Sequence, residues 1–197
     1  MAKKFAKLSE IIGGGSVVCI ASGPSLTAED VEMVKQWRGD RRSVIVANAT
    51  FRAAPWADAM YAMDRKFWDV YRSEIVQVFQ GLKYCGTCLP ATYGAMYVMP
   101  HEMTTHGNSG AACVSLAVHC GAKRVIMLGF DCQHDGKKTH WHDDHPSPLG
   151  NARTVNKWPA KFRALAARIG AKAEVVNASR RTALTMFPRV DLAEALC

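Results

Sequence analysis

The residues best suited to chemistry form one short segment, His140-Trp141-His142-Asp143-Asp144-His145. Imidazole groups titrate near neutral pH, so His145, His142 or His140 can take a proton from an attacking hydroxyl group. Three histidines and two acids in so short a segment can also bind a divalent metal ion. The surrounding polar stretch, 131–150, has a length that is usually functional or disordered inside a compact domain. We therefore predict an active-site loop whose histidines act as general bases or contact the substrate, with metal ligation and a solvated loop as the alternatives.

A second group of candidates consists of small and polar residues that follow apolar segments. The turn Ser22-Gly23-Pro24-Ser25 follows the apolar run 16–21 and has neither Walker-loop nor GxGxxG spacing. Gly107-Asn108-Ser109-Gly110 opens a buried helix of small residues, and helix N-termini attract anions. The remaining candidates end other apolar runs: Asn48, Asp64 and Asp131. All are predicted to contact a ligand at the carboxyl ends of the strands, although Asp131 could instead hold the histidine loop, and turns, caps or salt bridges are the structural alternatives.

Two cysteines and two histidines, Cys85-x2-Cys88-x12-His101-x4-His106, have the spacing of a Cys2His2 zinc finger. Pro100 lies beside the first histidine, where a finger needs a helix, and Thr92 lies where a finger has an aromatic core residue. No lysine or arginine occurs between Lys83 and Lys123, which argues against a DNA-reading finger. Coincidence is therefore favoured over zinc binding.

Regularly spaced apolar residues indicate the elements that must position these groups. Strand-length apolar runs alternate with segments of helical period, which predicts a single doubly wound, mostly parallel α/β (Rossmann-like) domain over 1–197. The predicted strands are 16–21, 43–48, 58–63, 82–86, 124–129 and 173–177. The predicted helices are 27–37, 65–79, 109–120, one from a start within 151–159 to 168, and 191–196. Residues 1–15 are expected to form an N-terminal helix and a glycine linker.

The composition limits the class of protein. The chain has 197 residues, 49% apolar and 21% charged, so it can bury the core of one domain. It contains no apolar stretch long enough to span a membrane and no recognisable signal peptide, which indicates a cytoplasmic location. The seven cysteines are expected to stay reduced, without a disulfide framework.

The net charge of +8 favours an anionic partner such as a nucleotide, a nucleic acid or a phosphorylated substrate. The excess is concentrated in residues 151–197, which carry nine basic and three acidic residues. Four of the basic residues share one face of a predicted helix: Arg153, Lys157, Lys161 and Arg168. That face is expected to be solvated, and the alternative is a nucleic-acid footprint that extends to the later arginines.

The order of these motifs resembles that of two related families. Ala21-Ser22-Gly23-Pro24-Ser25-Leu26 resembles the GxGPSL-type loop shared by the bacterial sialyltransferases of glycosyltransferase family forty-two and by the 6-hydroxymethylpterin diphosphokinase-like family. The resemblance continues at Asn48, at Asn108-Ser109-Gly110 and over Arg124–Asp131, and it covers roughly residues 16–180. Small uncharacterised phage proteins with a histidine-rich loop before a late helix look closer still.

The resemblance to the sialyltransferases implies a nucleotide-dependent transferase that takes a nucleotide sugar as its donor. It implies that the nucleotide lies against Ser22, Gly23, Pro24 and Ser25 and is flanked by Asn48 and Asp64. It also implies that Asn108, Ser109 and Gly110 cradle ribose or phosphate, while His145 or His142 deprotonates the acceptor hydroxyl. With the positive charge and the phage-like resemblance, modified DNA or a modified nucleotide becomes a candidate acceptor.

Two other functions stay open at this point. Asp64 stands where the sialyltransferases carry an asparagine, and a carboxylate there would repel a donor phosphate unless a metal ion bridged them. This favours magnesium-dependent diphosphoryl transfer from ATP to a small hydroxymethyl compound, with Asp64, Asp131 and Asp143 as possible ligands. The third function is a non-catalytic module that binds a nucleotide or nucleic acid. The oligomeric state is not predicted.

Overall fold

A computed structural model describes residues 3–89, 91–99, 103–104 and 106–197 of the chain. Seven strands form one sheet: β1 (Ser16–Ile20), β2 (Arg42–Ala47), β3 (Ala59–Ala62), β4 (Leu82–Cys85), β5 (Met96–Tyr97), β6 (Arg124–Leu128) and β7 (Glu174–Asn177). The order across the sheet is β5-β4-β3-β2-β1-β6-β7, and every neighbouring pair is parallel. The predicted fold class is confirmed.

Six α-helices cover the two faces of the sheet: α1 (Lys3–Ile12), α2 (Ala28–Trp37), α3 (Arg65–Val78), α4 (Ser109–His119), α5 (Trp158–Ile169) and α6 (Leu192–Leu196). Side chains of α1, α4 and α5 pack into one apolar core, and those of α2, α3 and α6 pack into another. The central strand β1 supplies both cores because successive residues point to opposite faces, so that Val17 and Cys19 join one and Val18 and Ile20 join the other. Among the described residues, no helix is both long and apolar enough to cross a membrane.

The chain reverses its direction of travel across the sheet between β1 and β6. Strands β1 to β5 succeed one another outward on one side, whereas β6 and β7 lie on the other side of β1. The loops that follow β1 and β6 therefore lead away from each other and leave a crevice at the carboxyl ends of the strands, which is where doubly wound proteins bind ligands.

Helix α5 begins within the predicted window of 151–159, and the position of its start affects the site. It begins at Trp158, after a short 3-10 turn at Val155–Lys157, and Pro159 in its first turn suits a helix start. Arg153 and Lys157 consequently lie outside the helix, so the predicted face of four basic residues is wrong. The helix packs against the sheet through Phe162, Leu165 and Ile169, which are buried.

The zinc-finger spacing falls partly outside the described residues, since His101 is not among them. Cys85 ends β4, is buried, and its Sγ donates a hydrogen bond to the carbonyl oxygen of Thr87 at 3.0 Å. Burial raises the pKa of the Cys85 thiol to about 11, so a thiolate there is disfavoured without a metal. All seven cysteines are free thiols.

Candidate active site

A cavity of about 280 Å³ lies at the carboxyl ends of the central strands. The residues that line it and that the sequence predicted as site residues are Ser22, Gly23, Pro24, Asn48, Asp64, Asn108, Ser109, Gly110, His140 and His145. They come from five separate segments of the chain, four of which directly follow a strand or open a helix. The predicted residues Ser25, Asp131 and His142 do not line the cavity.

The turn after β1 is fastened to the end of β6. The backbone N–H of Gly23 donates to the carbonyl oxygen of Gly129 at 2.8 Å. The carboxylate of Asp131 accepts hydrogen bonds from the backbone N–H and the hydroxyl of Ser25, both at 2.9 Å. Burial raises the pKa of Asp131, and the bonds from Ser25 oppose that rise. Ser25 and Asp131 therefore hold the turn in place, and their predicted contact with a nucleotide stays a prediction.

Backbone conformations that are costly for side-chain-bearing residues concentrate at the cavity. Five described non-glycine residues have positive φ angles, and three of them, Asn48, Cys132 and Ala152, line the cavity. Such conformations persist where the surrounding structure enforces them, and they cluster at ligand-binding sites. Asn48 tolerates φ 51° better than most residues would, and this conformation turns the chain at the end of β2.

The N-terminus of helix α4 opens into the cavity. Asn108 caps the helix, since its side-chain oxygen accepts a hydrogen bond from the N–H of Ala111 at 3.0 Å. The hydroxyl of Ser109 accepts a bond from the N–H of Met63, just after β3, at 3.1 Å. These bonds tie the helix start to the sheet edge, so that its first N–H groups and the positive end of its dipole face a possible anion.

Lys161 is a site residue that the sequence analysis assigned to a solvated face. Its Nζ donates to the carbonyl oxygen of Gly107 at 2.5 Å, and the side chain lines the cavity. A lysine beside a helix N-terminus adds a full positive charge to the partial charge of the dipole. Lys161 therefore joins the candidate site, although the sequence predicted only a solvated face for it.

Replacing Asn108 with alanine should lower the free energy of unfolding by about 1 kcal/mol, because the cap of α4 is lost. It should also weaken anion binding in the cavity, since the helix start would fray. Thermal unfolding with and without a nucleotide measures both effects. Asp191→Ala is the matched control, because Asp191 caps α6 through the N–H of Ala193 at 2.8 Å and lies away from the cavity. An Asn108→Ala protein that binds nucleotide like the Asp191→Ala protein would contradict this assignment.

Three histidines of the 131–150 loop form the histidine cluster of His140, His142 and His145, and two of them, His140 and His145, line the cavity. Their ring centroids lie 5.0, 5.0 and 4.9 Å apart. The Tyr71 hydroxyl on α3 hydrogen-bonds Nδ1 of His145 at 2.7 Å. Burial, together with the neighbouring histidines, lowers the pKa of His140 and of His145 to about 4. Both rings are therefore neutral at physiological pH.

The acidic candidates do not form a shared site. Asp64 lines the cavity at the N-cap position of α3, Asp131 is buried beneath the turn, and Asp143 does not reach the cavity wall. Within the described ranges, the one group of three metal-binding side chains whose ligand atoms lie within 4.8 Å of one another is the histidine cluster. The aspartate set suggested for magnesium is thus not assembled as a unit.

The fold and the site together define a Rossmann-like α/β protein with a polar cavity at its topological switch point. The fold is similar to that of the MAf glycosyltransferase from Magnetospirillum magneticum AMB-1, with a TM-score of 0.68 and 12% sequence identity. The match covers 91% of this chain and 34% of that protein, so the chain spans about a third of its length. At this identity the likeness shows the fold alone. No protein-family model and no curated protein sequence matches the chain.

Proposed function

We propose that the protein is a nucleotide-dependent transferase of the glycosyltransferase type, with its donor in the strand-end cavity. The observation that carries the proposal is the convergence, on one cavity, of a cationic end and a histidine end. The cationic end consists of the start of α4 and Lys161, and the histidine end consists of His140 and His145. The likeness of the fold to a glycosyltransferase favours this class over other users of the same fold.

The cationic end suits the phosphate groups of a nucleotide sugar. Backbone N–H groups at a helix start and a lysine ammonium both bind phosphate well. When the sugar leaves the nucleotide, negative charge develops on the departing phosphate. The same groups then stabilise the transition state more than the bound donor, which is the requirement for catalysis.

The histidine end suits the acceptor. A hydroxyl that attacks the sugar carbon must lose its proton, and the histidine cluster is where we propose that it does so, at His145. Direct attack would invert the configuration at the sugar carbon. The identity of the sugar is left open by this proposal, and modified DNA or a modified nucleotide is one candidate acceptor.

Asp64 favours a second candidate function, because its exposed carboxylate lines the cavity. A magnesium ion between Asp64 and the phosphates of ATP would permit diphosphoryl transfer to a small hydroxymethyl compound. The products separate the two functions. Diphosphoryl transfer releases AMP from ATP, whereas glycosyl transfer releases the nucleotide part of a nucleotide sugar.

Isothermal titration with a panel of nucleotides and nucleotide sugars, with and without Mg²⁺, tests the proposal. At least one should bind and stabilise the protein against heat. Lys161→Met should then weaken binding roughly tenfold to a hundredfold, because a charge-assisted phosphate contact contributes about 1.5–3 kcal/mol.

Lys157→Met is the matched control for this measurement. Lys157 is an exposed cation four positions earlier that does not line the cavity. Its loss should leave the dissociation constant unchanged within about twofold at moderate salt, since solvated charges at this distance are screened. Equal losses of nucleotide affinity in the two variants would mean that Lys161 acts only through general charge attraction. If no compound of the panel bound, the proposal would be overturned.

A further inference from the structure

The hydrogen bonds of the histidine cluster show which nitrogen is engaged in two of its three rings. Nδ1 of His142 bonds the carbonyl oxygen of Asp143 at 2.5 Å, and Nδ1 of His145 bonds the Tyr71 hydroxyl. These two bonds hold the orientation of the His142 and His145 rings.

The Nε2 atoms of His140 and His142 are buried and lack hydrogen-bond partners within the described part of the chain. A neutral imidazole that donates through Nδ1 to a carbonyl oxygen carries a lone pair on Nε2. Buried lone pairs without a donor are unfavourable, and such groups in folded proteins require an explanation such as a bound ion. In the neighbouring His145, Nδ1 is likewise engaged, by the Tyr71 hydroxyl at 2.7 Å.

We propose that the histidine cluster binds a divalent transition metal, of the class of Zn²⁺, through the Nε2 atoms of His140, His142 and His145. The ligand atoms of the three residues lie within 4.8 Å of one another. A tetrahedral ion with Zn–N distances of about 2.0–2.1 Å would draw them somewhat closer. Imidazoles fixed through their second nitrogen are the usual ligands of such ions. Neutral nitrogen donors favour zinc over magnesium.

The position of the cluster suggests what the ion would do. His140 and His145 line the cavity, so the fourth coordination position would be open to a ligand there, as in catalytic zinc sites. An acceptor hydroxyl bound at that position would lose its proton to solvent more readily than a free hydroxyl. Deprotonation of the acceptor at the ion rests on the proposed transferase function, and it would replace the uptake of the proton by His145. The binding of the ion itself does not depend on the transferase function or on the route of the proton.

The test is isothermal titration of the chelator-treated protein with Zn²⁺, with no nucleotide present. We expect one ion per chain, a dissociation constant below about 1 μM, and release of the ion by EDTA. His140→Ala and His142→Ala should each weaken binding at least a hundredfold. Tyr71→Phe, which removes only a support of the ligand His145, should weaken it about tenfold. Bound Co²⁺ should give the visible absorption typical of a tetrahedral nitrogen site.

Circular dichroism of each variant in EDTA shows whether it is folded. If one of His140→Ala and His142→Ala fails to fold, the other still tests the metal site. Cys88→Ser is the matched control, because Cys88 is an exposed thiol that could bind zinc adventitiously. Binding that survives both histidine substitutions, or that disappears in Cys88→Ser, would overturn the proposal. A protein that binds a nucleotide but no Zn²⁺ would contradict the metal site and leave the transferase proposal intact. A protein that binds Zn²⁺ but no nucleotide would contradict the transferase proposal and leave the metal site intact.

Discussion

Replacing Gly23 with alanine is expected to lower the free energy of unfolding by about 3 kcal/mol and to abolish nucleotide binding. A Cβ atom at this position would lie 2.5 Å from the carbonyl oxygen of Gly129 and closer still to the carboxylate of Asp131. Neither Gly129 nor Asp131 can shift easily to make room for the Cβ atom. Gly129 belongs to the end of β6, and the carboxylate of Asp131 is held by two hydrogen bonds from Ser25.

The turn must therefore move away from the sheet, and with it one wall of the cavity. Denaturant unfolding and nucleotide titration measure the two losses separately. Gly39→Ala is the control, because a Cβ atom there would meet nothing within 4 Å. If Gly23→Ala matched Gly39→Ala in stability and in nucleotide affinity, the turn would not be the rigid wall that its contacts indicate.

The second large effect is on turnover. His145→Ala is expected to slow transfer from the donor about 10²- to 10⁴-fold, which is the range for losing a proton-transfer group. Donor affinity should change much less, because the phosphates are proposed to bind at α4 and Lys161. The transfer rate should fall whether His145 takes the proton itself or binds a metal ion. Release of free nucleotide from the bound donor, with an acceptor present, gives the rate.

His134→Ala is the matched control for this prediction. His134 belongs to the same polar loop but is exposed and does not line the cavity. Its replacement should leave the transfer rate within about twofold of the wild type, as expected for a surface position. A His145→Ala protein with the wild-type rate would remove the histidine cluster from the chemistry and leave a binding module.

Most of the fold could be predicted because buried parallel strands are short, continuous apolar runs. Strand β1 was predicted at 16–21 and observed at Ser16–Ile20, and the helix predicted at 27–37 is observed as α2, Ala28–Trp37, with Thr27 as its N-cap. Thr27 and Asp30 do form the reciprocal bonds of a capping box. Strand β5 was missed, because two residues, Met96 and Tyr97, carry no periodic signal.

The candidate site could be predicted where its residues directly follow strands or open a helix. Parallel strands bring their carboxyl ends to one edge, so Asn48 and Asn108, which are distant in sequence, line one cavity. The position of Lys161 at the cavity was not predicted, because its neighbour Gly107 lies in another segment and no spacing rule connects the two. The bonds between Ser25 and Asp131 were not predicted for the same reason, since they join residues 106 positions apart.

The charge of the chain also acquires a more specific meaning. The excess after residue 150 suggested a surface for an anionic partner beside the site. Arg180 instead pairs with the buried Asp30, with nitrogen–oxygen distances of 2.8 and 2.9 Å, and Arg181 pairs with Asp135. Lys161 is the cation of this region that lines the cavity. A single lysine therefore contributes more to the proposed function than the net charge does.

The central claim is that the strand-end cavity binds a nucleotide donor. The most direct measurement is a crystal structure of the protein with the nucleotide that binds most tightly in the titration. The phosphates should lie at the start of α4 within hydrogen-bond distance of Lys161, and the rest of the nucleotide should contact the turn at Ser22–Pro24. A nucleotide bound outside this cavity, for example in the groove between Asp30 and Arg189, would contradict the account.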